Sequence, residues 1–130
     1  MDEKEAREAY FELKVIEEQM SQLQRQIAQL ESHIAEFEDA MKSLEELRNK
    51  EQEETLVPVS SGIYAKARLE DTNKFIVNVG AGVAVEKTLD DTKDIIEKQL
   101  GEMRSYRGQM VKGLQLLGSR AEEIQHMVAE

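Results

Sequence analysis

The chain has 130 residues, a net charge of −10, 40% hydrophobic residues, only 5% aromatic residues and no cysteine. This composition is lean for a packed globule, excludes disulfide and thiol chemistry, and favours a cytoplasmic protein. Lysine and arginine are not clustered, and neither a long apolar run nor an apolar N-terminal stretch occurs, so we expect no nucleic-acid binding, no membrane span and no signal peptide.

Residues 1–54 are predicted to form one long coiled-coil helix. Apolar residues recur every three or four positions for about five heptads, which is typical of a helix that packs along one stripe. We call this stripe the seam, and we expect the helix to end between Asn49 and Glu54, where the apolar pattern stops. The seam consists of Ala6, Ala9, Leu13, Ile16, Met20, Leu23, Ile27, Leu30, Ile34, Phe37, Met41 and Leu44.

Residues 55–87 alternate between apolar and other residues, which predicts four short strands in two β-hairpins. Turns are expected at Ser60-Ser61-Gly62, at Asp71-Thr72-Asn73 and at Gly80-Ala81-Gly82, and Pro58 fits a strand edge or a bulge. Two hairpins cannot enclose a core, and their open apolar edges favour pairing with other chains. The residues predicted to drive oligomerisation are Leu56, Val57, Val59, Ile63, Phe75, Val77, Val79, Val83 and Val85.

Residues 88–130 are predicted to form a second coiled-coil helix. Thr88 has the position of an N-cap, and Asp90 and Asp91 suit the positive end of the helix dipole. The second seam carries charge at Lys93 and Arg107, and glycines lie beside it, so this helix should be the less stable of the two. Its positions are Leu89, Lys93, Ile96, Leu100, Met103, Arg107, Met110, Leu114, Leu117, Ala121, Ile124 and Val128.

The hairpins return the chain to the end of the first helix, so we expect the two helices to pair antiparallel with Arg48 opposite Thr88. A paired length of about 40 residues would make an arm of about 60 Å that carries both chain termini at its tip.

Several large apolar residues lie off the seams, and antiparallel pairing gathers five of them towards this tip. Such residues either cover the frayed end of the seam or form an apolar surface that grips other proteins. The candidate tip residues are Tyr10, Phe11, Val15, Leu116 and Met127.

No set of residues indicates an enzyme, a metal site or a cofactor. The glycines at Gly80 and Gly82 precede a predicted strand and lack the third glycine and the helix of a dinucleotide-binding loop. His33 and His126 are isolated on helices without a second ligand at metal-binding spacing. Serine, histidine and acid residues form no recognisable nucleophile arrangement.

The order of the predicted elements and the sequence of the hairpins together resemble the prefoldin family, in particular the archaeal alpha class. The resemblance in element order covers the whole chain. The specific sequence motifs lie in the hairpins: LVPV at 56–59, SGIYAKA at 61–67 and VNVGAGVAVEK at 77–87. Two hairpins rather than one mark the alpha class in this resemblance.

The resemblance implies a hexamer of two alpha and four beta subunits in which the hairpins form a double β-barrel platform. It also implies six coiled-coil arms whose tips hold unfolded client proteins without ATP and pass them to a group II chaperonin. An alternative function is that of a structural or adaptor coiled-coil subunit of a scaffold that holds no client.

Overall fold

The computed structural model describes residues 2–129 of the chain and contains two long helices and two β-hairpins. The elements group into two compact units. The terminal unit comprises the described residues up to 35 and from 101 onward, and the hairpin unit comprises residues 36–100. The elements are α1 (Glu3–Glu46), β1 (Glu54–Ser60), β2 (Ile63–Arg68), β3 (Phe75–Gly80), β4 (Val83–Lys87) and α2 (Leu89–Ala129).

Helix α1 has a capped beginning and ends earlier than the sequence predicts. The Asp2 carboxylate accepts a hydrogen bond from the backbone N–H of Glu5 at 2.7 Å, which satisfies one of the free donors of the first turn. The helix ends at Glu46, so the predicted interval of 49–54 is wrong. Turns follow the helix, and Asn49 and Gln52 take left-handed backbone conformations with φ of 62° and 65°. The last seam residue, Leu44, lies inside the helix, and the helix ends two residues after it.

The terminal unit is held together by the two seams. Ala9 and Ile16 of α1 form a buried cluster with Ala121 and Ile124 of α2, and Leu13, Met20 and Leu117 pack against this cluster. The side chain of Ile124 is only 1% exposed. Each predicted seam position of α1 is buried or half-buried, which confirms the spacing used to identify the stripe.

Two of the α2 glycines face α1 rather than solvent. A Cβ atom built on Gly113 would lie 3.7 Å from Leu23 Cδ2, and one built on Gly118 would lie 3.7 Å from Met20 Cε. These glycines lie beside the seam, where they leave room for long apolar side chains of the other helix. By contrast, Gly101 and Gly108 have open space around them.

The hairpin unit contains two separate two-stranded antiparallel sheets, β1–β2 and β3–β4, and the described residues form no closed barrel. The pairing shifts between Pro58 and Ser60, so Pro58 lies at a bulge as predicted, and it shifts again between Asn78 and Gly80. Gly80, Ala81 and Gly82 all have positive φ, as the predicted turn requires. The fold class predicted from the sequence is confirmed.

A junction of two loops joins the hairpins to the helices. The backbone N–H of Gln52 donates to the carbonyl of Leu69 at 2.8 Å, and the Thr72 hydroxyl donates to the carboxylate of Glu51. Thr72 is 5% exposed, so this hydrogen bond compensates the burial of its hydroxyl. The same hydrogen bond lowers the pKa of Glu51. The loop after α1 and the loop between the hairpins are therefore fixed to each other.

Helix α2 begins on a cap that the sequence predicts. The Thr88 hydroxyl accepts a hydrogen bond from the backbone N–H of Asp91 at 3.1 Å, and the Asn73 side-chain oxygen accepts one from the N–H of Leu89 at 3.3 Å. The side chain of Leu89 is fully buried. The start of α2 is thus held by its own cap, by the inter-hairpin loop and by apolar packing.

The charged seam residue Lys93 pairs with the end of α1. Its ammonium group lies 2.8 Å from a carboxylate oxygen of Glu45, and the guanidinium of Arg48 bonds both Glu45 at 2.8 Å and Asp90 at 2.8 Å. Hydrogen bonds from Arg48 and Lys93 lower the pKa of Glu45 from 4.5 to about 2. Charges at the start of α2 therefore align it antiparallel to the end of α1, close to the predicted register.

The low pKa of Glu45 predicts an acid-sensitive contribution to stability. Because the folded pKa is below the unfolded value, the contribution is fully present above about pH 4.5 and is lost as the pH falls towards about 2. The difference in melting temperature between the parent and a Glu45→Gln variant should therefore be largest near neutral pH and shrink steadily as the pH falls from about 4.5 towards about 2. In an Arg48→Met background this pH dependence should become smaller. A difference that stayed constant over the whole pH range would contradict the assignment.

The cap at Thr88 predicts a loss of stability on truncation. A Thr88→Ala variant should lose about 1 kcal/mol in the free energy of unfolding, measured with urea, because the N–H of Asp91 loses its side-chain acceptor. Thr88→Ser keeps the hydroxyl and is the matched control. Equal stability of the alanine and serine variants would show that the cap contributes nothing.

Candidate functional site

The first candidate surface lies on the terminal unit, where an apolar cavity is open to solvent. Tyr10 and Phe11 line it and are 57% and 71% exposed. The cavity has a volume of about 630 Å³, and Ala6 and Val128 complete its apolar part. More than half of each aromatic side chain is accessible, so both rings are available to bind apolar groups.

Charged groups border this cavity. Glu3 and Arg7 are paired at 3.2 Å, and Lys14 places its ammonium group 5.5 Å from the centroid of the Tyr10 ring. The cation on the ring face restricts the orientation of Tyr10, while the charges keep the surroundings of the apolar patch hydrated. The apolar patch is therefore bordered by charges, and it is not the start of an extended apolar face.

The other three candidate tip residues do not line the cavity. Val15, Leu116 and Met127 are 38%, 73% and 46% exposed, respectively, and belong to the same terminal unit. The structure therefore brings Tyr10 and Phe11 together at one cavity and leaves the remaining candidates on the surrounding surface.

Val128 also lines the cavity of Tyr10 and Phe11, although the sequence pattern predicts it as a seam residue. It is 44% exposed. Its position as the last member of the second seam was the available signal, because the end of a seam has fewer partners to cover it.

Near this surface the two helices are locked by a forked ion pair. The Arg120 guanidinium donates to both carboxylate oxygens of Glu12, at 2.9 and 3.2 Å, and it also bonds Glu123 at 3.1 Å. These carboxylates, Glu12 above all, raise the pKa of Arg120. A bidentate pair fixes both distance and orientation, so it holds the two helices in register beside the exposed apolar residues.

The second candidate surface is the pair of hairpins. Every residue of β1 is exposed, and so is almost all of β2. Of the residues predicted to drive oligomerisation, Phe75, Val77 and Val85 are half-buried, and the rest are exposed: Leu56, Val57, Val59, Ile63, Val79 and Val83. The six exposed side chains thus remain largely uncovered by the described residues.

The strand registers assign the hairpin residues to faces. Val77 pairs with Val85, which gives β3–β4 one apolar face. Ile76 pairs with Glu86 on the opposite face and is 81% exposed. In the first hairpin, Tyr64 pairs with Pro58 and is 59% exposed. Ile76 and Tyr64 were not predicted, because alternation assigns one apolar face to each strand and leaves the other unexamined.

The structure offers no metal centre or membrane helix within its described part. Over residues 2–129, no group of three histidine, cysteine, aspartate or glutamate residues is placed to hold a metal ion. Neither α1 nor α2 contains a stretch that is long and apolar enough to cross a membrane.

The sequence and the fold both match known proteins. A family model described as "Prefoldin subunit" matches residues 16–130. Prefoldin subunit alpha 1 of Thermococcus kodakarensis is 45% identical over 62 residues, which are 47% of this chain and 42% of that subunit. Prefoldin subunit alpha of Pyrococcus horikoshii is 32% identical over 101 residues, which are 76% of this chain and 68% of that subunit. The chain thus spans less than half the length of the first of these relatives.

A solved structure shares the fold. The cryo-EM structure of filamentous PFD from Methanocaldococcus jannaschii superposes with a TM-score of 0.76 at 22% identity, covering 92% of this chain and 97% of that one. This similarity concerns the fold alone. The family model covers most of the chain, and the named relatives are alpha subunits, so the chain belongs to the prefoldin family as an alpha-class subunit.

Proposed function

We propose that this chain is a subunit of an ATP-independent holdase chaperone. Its hairpins assemble with beta-class subunits into a hexamer of two alpha and four beta chains in the cytoplasm, and its tip residues hold unfolded proteins for transfer to a group II chaperonin. The observation that carries the proposal is the set of large apolar side chains left uncovered in both units, at the cavity of Tyr10 and Phe11 and along the hairpins.

The hairpins support the assembly part of the proposal. Two-stranded sheets have free edges on both sides, and strands whose apolar residues lie in water gain stability by pairing with other strands. The half-buried pair of Val77 and Val85 supplies an apolar face that a partner can complete. The stoichiometry and the chaperonin are part of the proposal and are supported only by analogy with the family.

The terminal unit supports the client-holding part. A cavity with two exposed aromatic rings and charged neighbours fits apolar side chains of many shapes, and it contains no group that would demand one particular ligand. One apolar side chain contributes about 1.5–3 kcal/mol when fully buried, so several subunits must engage one client to hold it firmly.

A structural scaffold is the second candidate function. It is favoured by the exposed apolar side chains of the hairpins, which could serve assembly alone. In that role the hairpins would assemble as proposed, whereas the exposed aromatic residues would bind no client. Suppression of aggregation of an unfolded test protein separates the two functions.

The assembly part predicts that charge on the hairpin face breaks the complex. Val77→Asp should give smaller, fully helical species, because an aspartate at the centre of an apolar interface is buried without a partner. Light scattering measures the mass and circular dichroism the helix content. Asn78→Asp, on the opposite face of the same strand, is the matched control and should leave the mass unchanged. An unaltered mass for Val77→Asp would refute assembly through this face.

The client-holding part predicts that the tip is required for chaperone activity. Removing residues 1–15 together with 116–130 should keep the hexamer but remove most of the suppression of aggregation, because all candidate tip residues are lost. Phe11→Ser alone should have a small effect, since several arms share the load. The double variant Tyr10→Ser with Phe11→Ser should lie between these results, and Glu17→Ser with Glu18→Ser is its control.

Full protection of an unfolded protein by the trimmed hexamer would exclude the tip as the client site. The scaffold function would then be favoured if the parent hexamer also failed to protect.

A further inference from the structure

A second groove on the terminal unit has a chemistry unlike the rest of the surface. Two cavities of about 320 and 260 Å³ adjoin at Gln26, which lines both, and together they make up one groove region along α1. Five residues of α1 line it at a spacing of three or four, which places them on one side of the helix. They are Gln19, Gln22, Gln26, Gln29 and His33. We call this groove the amide groove.

The floor of the amide groove is apolar, and its far wall comes from α2. Leu23 and Leu30 of α1 and Met110 and Leu117 of α2 line it, and Met110 is 8% exposed. Tyr106 of α2 stands at one side and is 57% exposed. The groove therefore combines an apolar base with a row of side-chain amides and one exposed aromatic ring.

The amide groove has few ionisable groups, and the His33 imidazole is the titratable side chain named in its lining. Among the described residues, no carboxylate, ammonium or guanidinium group lines either cavity, although 34% of the chain is charged. Between Gln19 and Ala35 the sequence has only two charged residues, Arg25 and Glu31. The cavity of Tyr10 and Phe11 differs in this respect, because Glu3, Arg7 and Lys14 line it.

A row of glutamines matches one kind of partner best. A glutamine amide donates and accepts hydrogen bonds, as a peptide group does. An extended polypeptide has free peptide groups along both edges, whereas the backbone groups of a helix are already bonded within the helix. A charged partner would have to give up hydration without meeting an opposite charge in the groove.

We propose that the amide groove binds an extended, uncharged segment of an unfolded polypeptide, whose peptide groups pair with the glutamines and whose apolar side chains rest on the leucine and methionine floor. This inference rests on the proposed holdase function and gives it a second contact of different selectivity. The cavity of Tyr10 and Phe11 would hold apolar side chains, and the amide groove would hold backbone.

The test measures peptide binding to the assembled full-length protein. The probe is a short peptide made only of Ser, Ala, Thr and Val with an uncharged fluorophore, followed by fluorescence anisotropy. Gln22→Glu with Gln26→Glu should weaken binding by about tenfold, because two carboxylates must lose hydration against an uncharged ligand. Gln24→Glu with Gln125→Glu adds the same charge outside the groove and should change Kd by less than about twofold.

A charge swap sharpens the result. Gln22→Lys with Gln26→Lys should also weaken the uncharged peptide, but should bind a version of the peptide with alternating Glu residues more tightly than the parent protein does. Tyr106→Ser adds no charge and should weaken the uncharged peptide by about threefold, so the inference stays testable if the charged variants unfold. Circular dichroism checks the fold of every variant.

The inference would be overturned if Gln22→Glu with Gln26→Glu and the control Gln24→Glu with Gln125→Glu had the same Kd for the uncharged peptide, whether or not that Kd differed from that of the parent. A change in mass of the assembly on Gln22→Glu with Gln26→Glu would also overturn it, because a second copy would then occupy the groove. These results are separable from the proposed function, since the Tyr10→Ser with Phe11→Ser variant alters only the cavity of Tyr10 and Phe11 and leaves every lining residue of the amide groove in place.

Discussion

The structure depends on one constraint, which is that an amphipathic helix of more than 40 residues needs something to cover its apolar stripe. Helix α1 runs for 44 residues and α2 for 41, and helices in proteins gain most of their stability from packing of an amphipathic face. Each seam is covered by the other helix, as the cluster of Ile16 and Ile124 shows. Ion pairs then set the alignment, because Glu45 with Lys93 and Glu12 with Arg120 bond only when the helices run antiparallel in this register.

Because the two helices cover each other's seams, they offer little apolar surface against which the hairpins could pack. The strands are short, they form two separate sheets, and most of their apolar residues are exposed to water. The junction around Thr72 and Asn73 fixes where each hairpin starts, but it adds no core beneath the strands. The hairpins are thus ordered enough to present an interface and too exposed to be complete without partners.

The polar surface of the terminal unit is also divided by chemistry. One region has aromatic rings among charges, at Tyr10 and Lys14, and another has amides above leucine and methionine without charges. A chain under selection only for solubility would have no need for this separation, since charged residues serve a solvated helix face well. The division suits a protein that contacts both the side chains and the backbone of other polypeptides.

Much of this architecture could be predicted from the sequence because it rests on local periodicity. Spacings of three and four identified both helices, alternation identified four strands, and Thr88 and the glycines at 80 and 82 marked a cap and a turn whose geometry is local. The end of α1 was misjudged, since the left-handed conformations of Asn49 and Gln52 leave no trace in the apolar pattern.

Tertiary structure alone decided that Gly113 and Gly118 face α1, that Val128 joins Tyr10 and Phe11 at a cavity, and that the glutamines of α1 border a groove. The physical reason is that a surface or cavity depends on the distance between residues far apart in the chain, whereas periodicity reports only on neighbours within one element.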